Sequence, residues 1–472
     1  MVGERESAME LKGKRVLVVG MGRSGLSAAM FLRRRGAQVT VSDVRSAASL
    51  SREIPALIEA GIMVEAGGHG LLTFRRQDLI VVSPGVPMET PELAQAKAFG
   101  LPVIGELELA AQFLRGRILA ITGSNGKTTT TALLGDILAS GGLPTQVGGN
   151  IGVPVVDLIE ASSDEGWSVL EVSSFQLEST QTFHPHIAVI LNITPDHLDR
   201  HGSFENYAQT KERILRSQTA GDAQVLNADN ARTAAIAERA VARIHWFSMQ
   251  GEVVQGAWVR DGQVVFRASA EAAVETILAV ERIPLKGAHN VENILAAVCA
   301  ARLAGVDGAT IARVIAEFRA VEHRIEFVAR QNGVEYYNDS KATNVDAAAK
   351  AIAAFPAGVH LILGGKDKNS NYAELESLLR SRVRAVYTIG SAAEKIASQI
   401  RGMVAIMPCE TLDRAVIAAG AAAVPGEIVL LSPACSSFDQ FENYEQRGQV
   451  FKQLVRQQVE PLPSSSVAEL TR

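Results

Sequence analysis

The stretch ITGSNGKTTT, residues 121–130, sets a glycine turn, a lysine and a run of threonines between an apolar stretch and a helical one. Gly123 and Gly126 allow backbone N–H groups to turn inward on a phosphate, and the positive end of the following helix adds to their pull. Lys127 can bridge terminal phosphates, and Thr128 or Thr129 can offer a hydroxyl to Mg²⁺. The usual loop leaves four residues between its first glycine and Gly-Lys-Ser/Thr. Here only Ser124 and Asn125 stand between Gly123 and Gly126. A glycine turn capping a helix is the plainer alternative. The apolar run before it and the helical run after it favour a phosphate loop.

A second glycine turn, GMGRSG at 20–25, follows the apolar run RVLVVG, and Asp43 ends the next such run. Gly22, Arg23 and Ser24 then head a helix that can seat a diphosphate, with Asp43 where a ribose-binding acid is expected. NAD, UDP or ADP would each satisfy that chemistry, and Ser83-Pro84-Gly85 could close the same pocket. Glu171 ends the run SVLEV, and Asp196-His197 follow IAVILNIT. Both could serve a metal held by a nucleotide, although Mg²⁺ prefers oxygen ligands and a histidine would be unusual. Lys211, in YAQTKERIL, reads as charge on a solvated helix face. Farther along, HRIEF, NDSKATN, GGKDKN and SPACSSFDQFENYEQRG are dense in small polar and charged residues. Arg324 suits a phosphate through its rigid fork. Thr343, Lys368 and Ser437 could together hold a carboxylate.

These groups need elements to position them. Apolar β-branched runs alternate with helical stretches along the whole chain, which predicts an α/β protein with parallel sheets covered on both faces. In such sheets ligands sit beyond the carboxyl ends of the strands, where the polar residues cluster here. Breaks near Gly105 and Ala320 divide the chain into 1–105, 106–320 and 321–472. A serine-containing tail after Pro461 is expected to be loose.

At 472 residues the chain exceeds what one core usually supports, so about three domains are expected. Lys and Arg total 46 against 51 Asp and Glu, a net charge of −5 without a basic block, so neither nucleic acid nor an anionic membrane is an expected partner. The N-terminus is polar, and no run of about 18 apolar residues is present. Three widely spaced cysteines suit neither a disulfide framework nor a zinc cluster. A cytoplasmic location follows as the expectation.

TGSNGKTTT, EVSSFQLE, NITPDHLDRHGSFENYAQTKERI, GAHNVENILAA, HRIEF, NDSKATN and LLSPACSSFDQFENYEQRG together resemble the Mur ligases of peptidoglycan synthesis, in order and across all three segments. In that family the short phosphate loop is the normal form. The resemblance implies three domains: an N-terminal Rossmann-like one for a UDP moiety, a central P-loop ATPase with a mostly parallel sheet, and a C-terminal Rossmann-like one for an amino acid. The last two motifs point to the branch that joins D-glutamate to UDP-N-acetylmuramoyl-L-alanine. ATP phosphorylates the substrate carboxylate, and the amine attacks the acyl phosphate. By motif, Gly123, Ser124, Asn125, Gly126, Lys127, Thr128, Thr129, Asn290, Asn293, Arg324 and Asp339 are implied for ATP, with Asn290 and Asn293 on the adenine side. Gly22, Arg23, Ser24, Asp43, Ser83, Pro84, Gly85 and Asn150 are implied for the UDP substrate. Thr343, Lys368, Ser437 and Phe438 are implied for D-glutamate. Thr128, Glu171, His197 and Lys211, the last carbamylated by CO₂, would serve two Mg²⁺ sites that Mn²⁺ can also fill. Lys127, His197 and Lys211 would be catalytic, in a monomer whose C-terminal domain closes over ATP. Two positions depart from the pattern: Lys366 competes with Lys368, and Tyr444 stands where phenylalanine is frequent.

Three rivals remain at this point. A sister ligase would add L-alanine, a diamino acid or glutamate to folate, but a folate ligase would lack GMGRSG and no DNPR-type stretch of a diamino-acid ligase is present. An NAD-dependent oxidoreductase resting on GMGRSG and Asp43 leaves the phosphate loop unexplained. A nucleotide switch would not need carboxylate-binding loops in a separate segment.

Overall fold

The run Arg15–Val19 alternates its side chains between two apolar layers: Val16 and Val18 join one cluster, Leu17 and Val19 another. A strand buried on both faces needs helices on both sides, which is what its flanking sequence supplies. In the computed structural model, which describes residues 9–150, 152–319 and 322–459, it is the central strand of a five-stranded parallel sheet. The order is Met63–Ala66, Gln38–Asp43, Arg15–Val19, Leu79–Val82, Val103–Gly105. Connections run outward from Arg15–Val19 in both directions, so a crevice opens between its carboxyl end and that of Leu79–Val82.

Nine strands form the second sheet, with Arg117–Thr122 between Ile187–Ile190 and Trp167–Glu171. All pairings are parallel except the hairpins Gly256–Arg260, Gln263–Arg267 and Glu275–Ala279 at one edge. The first hairpin turns on Asp261 and Gly262, both at positive φ, the backbone that a two-residue turn requires. The third sheet has six strands. Val334–Asn338, Ile428–Leu431 and Val359–Gly364 lie side by side and parallel, and Glu326–Gln331 pairs antiparallel at the edge. The loops NDSKATN, SPACSSF and GGKDKN therefore leave three adjacent strands at the same end.

The chain divides into two compact units. One comprises Met1–Pro195, Arg200–Ile283 and Glu292–Glu317; the other comprises Asp196–Asp199, Pro284–Val291 and Phe318–Arg472. The first two sheets share one apolar core, which runs from Val16 and Phe31 through Leu107 to Leu170 and Ile190. Two buried glutamates reinforce that junction. Glu108 accepts backbone N–H bonds from Gln181, Thr182 and Phe183, and Glu106 Oε1 accepts one from Val156 at 2.8 Å. The expected break near Ala320 and the tail after Pro461 lie outside the described residues. Among the described residues no helix is long and apolar enough to cross a membrane.

Candidate active site

The phosphate loop leaves the carboxyl end of Arg117–Thr122 and enters the helix Lys127–Ser140. Gly126 is the N-cap in a left-handed conformation, φ 89°, and a Cβ there would meet Asn293 Oδ1 at 2.1 Å. The left-handed backbone favours glycine, and any side chain there would displace Asn293. The loop is stitched to the end of the neighbouring strand. Ser124 N–H donates to Asn192 O and Asn125 N–H to Asn192 Oδ1, each at 2.9 Å, while Ser124 Oγ meets Thr194 O at 2.9 Å. A loop two residues shorter than usual is thus held by the segment that follows the next strand. Lys127 Nζ curls back onto Gly123 O (2.8 Å) and Ser124 O (2.9 Å).

Lys211 overturns its ordinary reading. It is 2 % exposed, and its Nζ donates to Gly123 O at 2.8 Å while lying 4.7 Å from the centre of the Tyr207 ring. Two ammonium groups, Lys127 and Lys211, converge on one carbonyl. Glu171 is likewise not a solvated strand end: it is 1 % exposed, its Oε1 accepts from Asn150 Nδ2 at 2.9 Å, and its Oε2 is buried with no hydrogen-bond partner. The hydroxyl of Thr129 is buried and unpartnered too. A carboxylate oxygen and a hydroxyl are each the kind of oxygen ligand that Mg²⁺ takes. Glu171, with Thr128 or Thr129, would hold it.

A cavity of about 460 Å³ opens beyond the first sheet. Its lining includes Gly22, Arg23, Ser24, Asp43, Ser83, Pro84, Gly85 and Asn150, so all eight residues expected at the UDP substrate meet around it. The glycine motif makes the cavity possible: a Cβ on Gly25 would lie 1.9 Å from Gly20 O and 2.5 Å from Ser83 Oγ. Ser83 Oγ donates to Gly20 O at 2.9 Å, which fixes the two sides of the crevice. The helix Arg23–Arg34 begins here without a side-chain cap, leaving first-turn N–H groups to face a ligand. Arg23 also donates to Gly152 O at 2.6 Å, tying the cavity to the central sheet.

Asp43 lines this cavity and is held by its neighbours. Its carboxylate accepts Met21 N–H at 2.7 Å and both Nε and a terminal nitrogen of Arg45 (3.1 and 2.9 Å). Burial pushes its pKa up, but these bonds outweigh burial and hold it below the usual range. With its oxygens so engaged, Asp43 orients Arg45 and the glycine turn. Arg45, which lines the cavity, was missed by the sequence reading; its position two residues after the strand end was the available signal.

In the second unit, Asp339 is buried. Its Oδ1 accepts Ile325 N–H at 3.2 Å and its Oδ2 accepts the Ser432 hydroxyl at 2.9 Å. Burial lifts its pKa to about 6, against the pull of Arg324 and Arg447. Lys366 pairs its backbone with Ser436 in an antiparallel bridge, with N–H to O at 2.9 Å, and exposes its side chain. Lys368 is more enclosed. Ser437 is buried, whereas Phe438 is 67 % exposed; Thr343 directly precedes Asn344, the N-cap of the helix Val345–Ala353. The Tyr444 hydroxyl takes a bond from Lys341 Nζ at 3.0 Å, a contact phenylalanine could not make. Arg447, fully buried, binds Ser340 and the carbonyls of Cys435 and Ser436. Nothing local in the sequence marks it as a core residue.

His197 and Asn290 also belong to the second unit. His197 has φ 51°, and its backbone N–H donates to Asp196 Oδ1 at 2.9 Å; Asn290 Nδ2 donates to Lys286 O at 2.7 Å. Asn293 belongs to the first unit, where its amide oxygen abuts Gly126. It therefore borders the phosphate loop itself, which the sequence reading did not anticipate.

Comparison with known proteins agrees with this arrangement. Residues 14–105 match the MurD-like N-terminal domain of Mur ligases, 121–301 the Mur ligase middle domain and 323–435 the Mur ligase glutamate ligase domain. The chain is 68 % identical over 447 residues to the UDP-N-acetylmuramoylalanine–D-glutamate ligase of Acidobacterium capsulatum, covering 95 % of this chain and 97 % of that one. It is 56 % identical to the enzyme of that name from Koribacter versatilis, over 96 % of this chain and 99 % of the relative. Among solved structures, a pseudomurein peptide ligase type C from Methanothermus fervidus shares the fold, with TM-score 0.60, 19 % identity and coverage of 94 % and 100 %. So does the UDP-N-acetylmuramate–alanine ligase of Thermotoga maritima, with TM-score 0.58, 18 % identity and the same coverage. With glycine turns heading helices at the strand ends, a buried carboxylate and lysine beside one of them, and relatives of this identity along nearly its whole length, the chain belongs to the Mur ligase family.

Proposed function

We infer that the protein is an ATP-dependent ligase that joins D-glutamate to UDP-N-acetylmuramoyl-L-alanine in peptidoglycan precursor synthesis. The observation that carries this reading is Asn150: it lines the cavity and hydrogen-bonds Glu171. One asparagine thus connects the place for a nucleotide-linked substrate with the carboxylate beside the phosphate loop. The names of the relatives supply the identity of the amino acid and of the UDP substrate.

A carboxylate is a poor acylating agent, so the substrate's free carboxylate first takes the γ-phosphoryl group of ATP, and ADP departs. The D-glutamate amine then adds to the acyl carbon, and phosphate leaves as the amide forms. Backbone N–H groups of 123–126 and Lys127 cradle the phosphates and meet the charge that develops during transfer. Mg²⁺, when bound, supplies charge neutralisation at the transferred phosphoryl group. Thr128 and Glu171 would hold one ion, and Lys211 would serve a second.

Unmodified, Lys211 repels Lys127, because both ammonium groups lie 2.8 Å from the same Gly123 carbonyl in a buried place where like charges are poorly screened. Carbamylation of Lys211 by CO₂ would reverse that sign and supply an oxygen ligand, with Mn²⁺ able to replace Mg²⁺. In the second unit, Arg324 and Asp339 would address ATP. Thr343, Lys368, Ser437 and Phe438 would take D-glutamate, with the more enclosed Lys368 favoured over Lys366 for its side-chain carboxylate. The domain ranges 1–105, 106–320 and 321–472, each holding one sheet, a cytoplasmic location and a monomeric state complete the reading. Scattering profiles that superimpose with and without ATP analogue plus UDP substrate would remove the expected closure of the C-terminal domain.

The direct test is phosphate release from ATP with Mg²⁺ and UDP-N-acetylmuramoyl-L-alanine, adding D-glutamate, L-glutamate, L-alanine or a diamino acid separately. Release with D-glutamate alone, with a product of matching mass, is expected. Release with a different amino acid would move the chain to a sister ligase.

A further inference from the structure

Arg324 sits between two residues with left-handed backbone, His323 at φ 66° and Ile325 at φ 45°. For a β-branched residue such a φ is a true outlier, and conformations of this kind persist only where their surroundings over-determine them. Here the surroundings do so. Ile325 N–H donates to Asp339 Oδ1 at 3.2 Å, His323 N–H to Glu326 Oε2 at 2.9 Å, and Asn338 Nδ2 to His323 Nδ1 at 2.9 Å.

The remaining wall is one face of the helix Tyr444–Val459. Residues four apart share a helix face, and Tyr444, Gly448 and Lys452 do. The Tyr444 ring stands edge-on to His323, centroids 6.1 Å apart. A Cβ on Gly448 would lie 2.1 Å from His323 Nδ1, so only glycine admits the imidazole. Lys452 is 6 % exposed and donates to Glu322 and to Glu326 Oε1, the latter at 3.1 Å. The ligand atoms of Glu322, His323 and Glu326 lie within 4.8 Å of one another, a set that calls for a cation; the Lys452 ammonium provides it. The Arg324 Nε held out by this turn is buried and has no hydrogen-bond partner.

We propose that Lys452 is a positioning residue for Arg324: its ammonium fastens both ends of the strained 322–326 turn and so fixes the guanidinium that the proposed function assigns to ATP. The inference rests on the reading that Arg324 contacts ATP, and the test separates the two. Lys452→Met is expected to raise KM for ATP about tenfold, what relaxation of one left-handed residue is worth. KM for D-glutamate should stay unchanged, and Lys452→Arg, which keeps the ion pairs, should restore KM for ATP. In an Arg324→Ala background Lys452→Met should add nothing further for ATP, because coupled residues are not additive.

If Arg324→Ala leaves ATP kinetics unaltered, the reading of Arg324 itself fails. If Arg324→Ala is impaired while a folded Lys452→Met is not, the positioning role is overturned and that reading stands. An equal effect of Lys452→Met with and without Arg324 would also overturn it. Should Lys452→Met not fold, Glu322→Gln, at a side chain 52 % exposed, carries the same comparison: a raised KM for ATP is expected, and an unchanged one overturns the proposal.

Discussion

The helix Lys127–Ser140 offers an internal control for the phosphate loop, because a left-handed glycine stands at each end. Gly126 has φ 89°, and its Cβ position is crowded by Asn293 Oδ1 at 2.1 Å and Leu191 Cδ1 at 3.1 Å; Gly142 has φ 77° and nothing within 4 Å. Alanine in this backbone region costs about 1–2 kcal/mol wherever it occurs. At Gly142 that strain lowers stability alone. At Gly126 the loop can relax only by turning its N–H groups away from the phosphate position, and Asn293 must swing out as well. The strain then reappears when the loop is restored around ATP, so Gly126→Ala is expected to raise KM for ATP about 5–30-fold. Gly142→Ala should lose a similar amount of stability and keep its KM. Initial rates with the UDP substrate and D-glutamate saturating, together with direct titration of a fluorescent ATP analogue, measure both. Equal KM values for Gly126→Ala and wild type would refute the assignment of this loop to the phosphates, and equal rises in the two variants would show that only general strain was measured.

Lys211→Ala is expected to abolish turnover, and high bicarbonate should not restore it; a normal rate would eliminate the carbamate. Asn150→Ala should weaken the UDP substrate and raise the Mg²⁺ concentration needed for half-maximal rate, and an effect on only one of the two would break the connection drawn between cavity and carboxylate. Glu106 is lifted by burial to about 7. An acid whose folded pKa is raised contributes stability that is fully present below its unfolded value near 4.5 and is lost as pH rises through 7. The shift corresponds to about 3 kcal/mol, so Glu106→Gln should gain in thermal midpoint relative to wild type between pH 5 and pH 8. A difference that does not vary with pH would show that the carboxyl does not titrate as described.

What could be read beforehand was whatever is encoded locally. The glycine spacings around Gly22 and Gly126 specify backbone turns within six residues, so cavity and phosphate loop were visible in advance. The fate of Lys211 was not, because its acceptor, Gly123 O, lies 88 residues away, and nothing in YAQTKERIL tells that this helix face is covered. Resemblance to a family flagged the residue, while its periodicity pointed to solvent. Asp43 was placed correctly beside the cavity, but the partner that engages it, Arg45, is on the following loop, whose course no strand pattern fixes. The antiparallel edge of the central sheet escaped notice although Asp261-Gly262 between apolar runs announces a hairpin.

Mid-helix glycine is among the first positions changed when a protein is engineered for heat tolerance, since alanine there typically gains about 1 kcal/mol. Gly448 looks like such an opportunity, but it is the point where a histidine ring enters the helix surface. Any larger residue would push that ring, and the turn it belongs to, out of place. At this point of the C-terminal helix a lone glycine-to-alanine change gains nothing while His323 keeps its place, and heat tolerance is better sought at other positions.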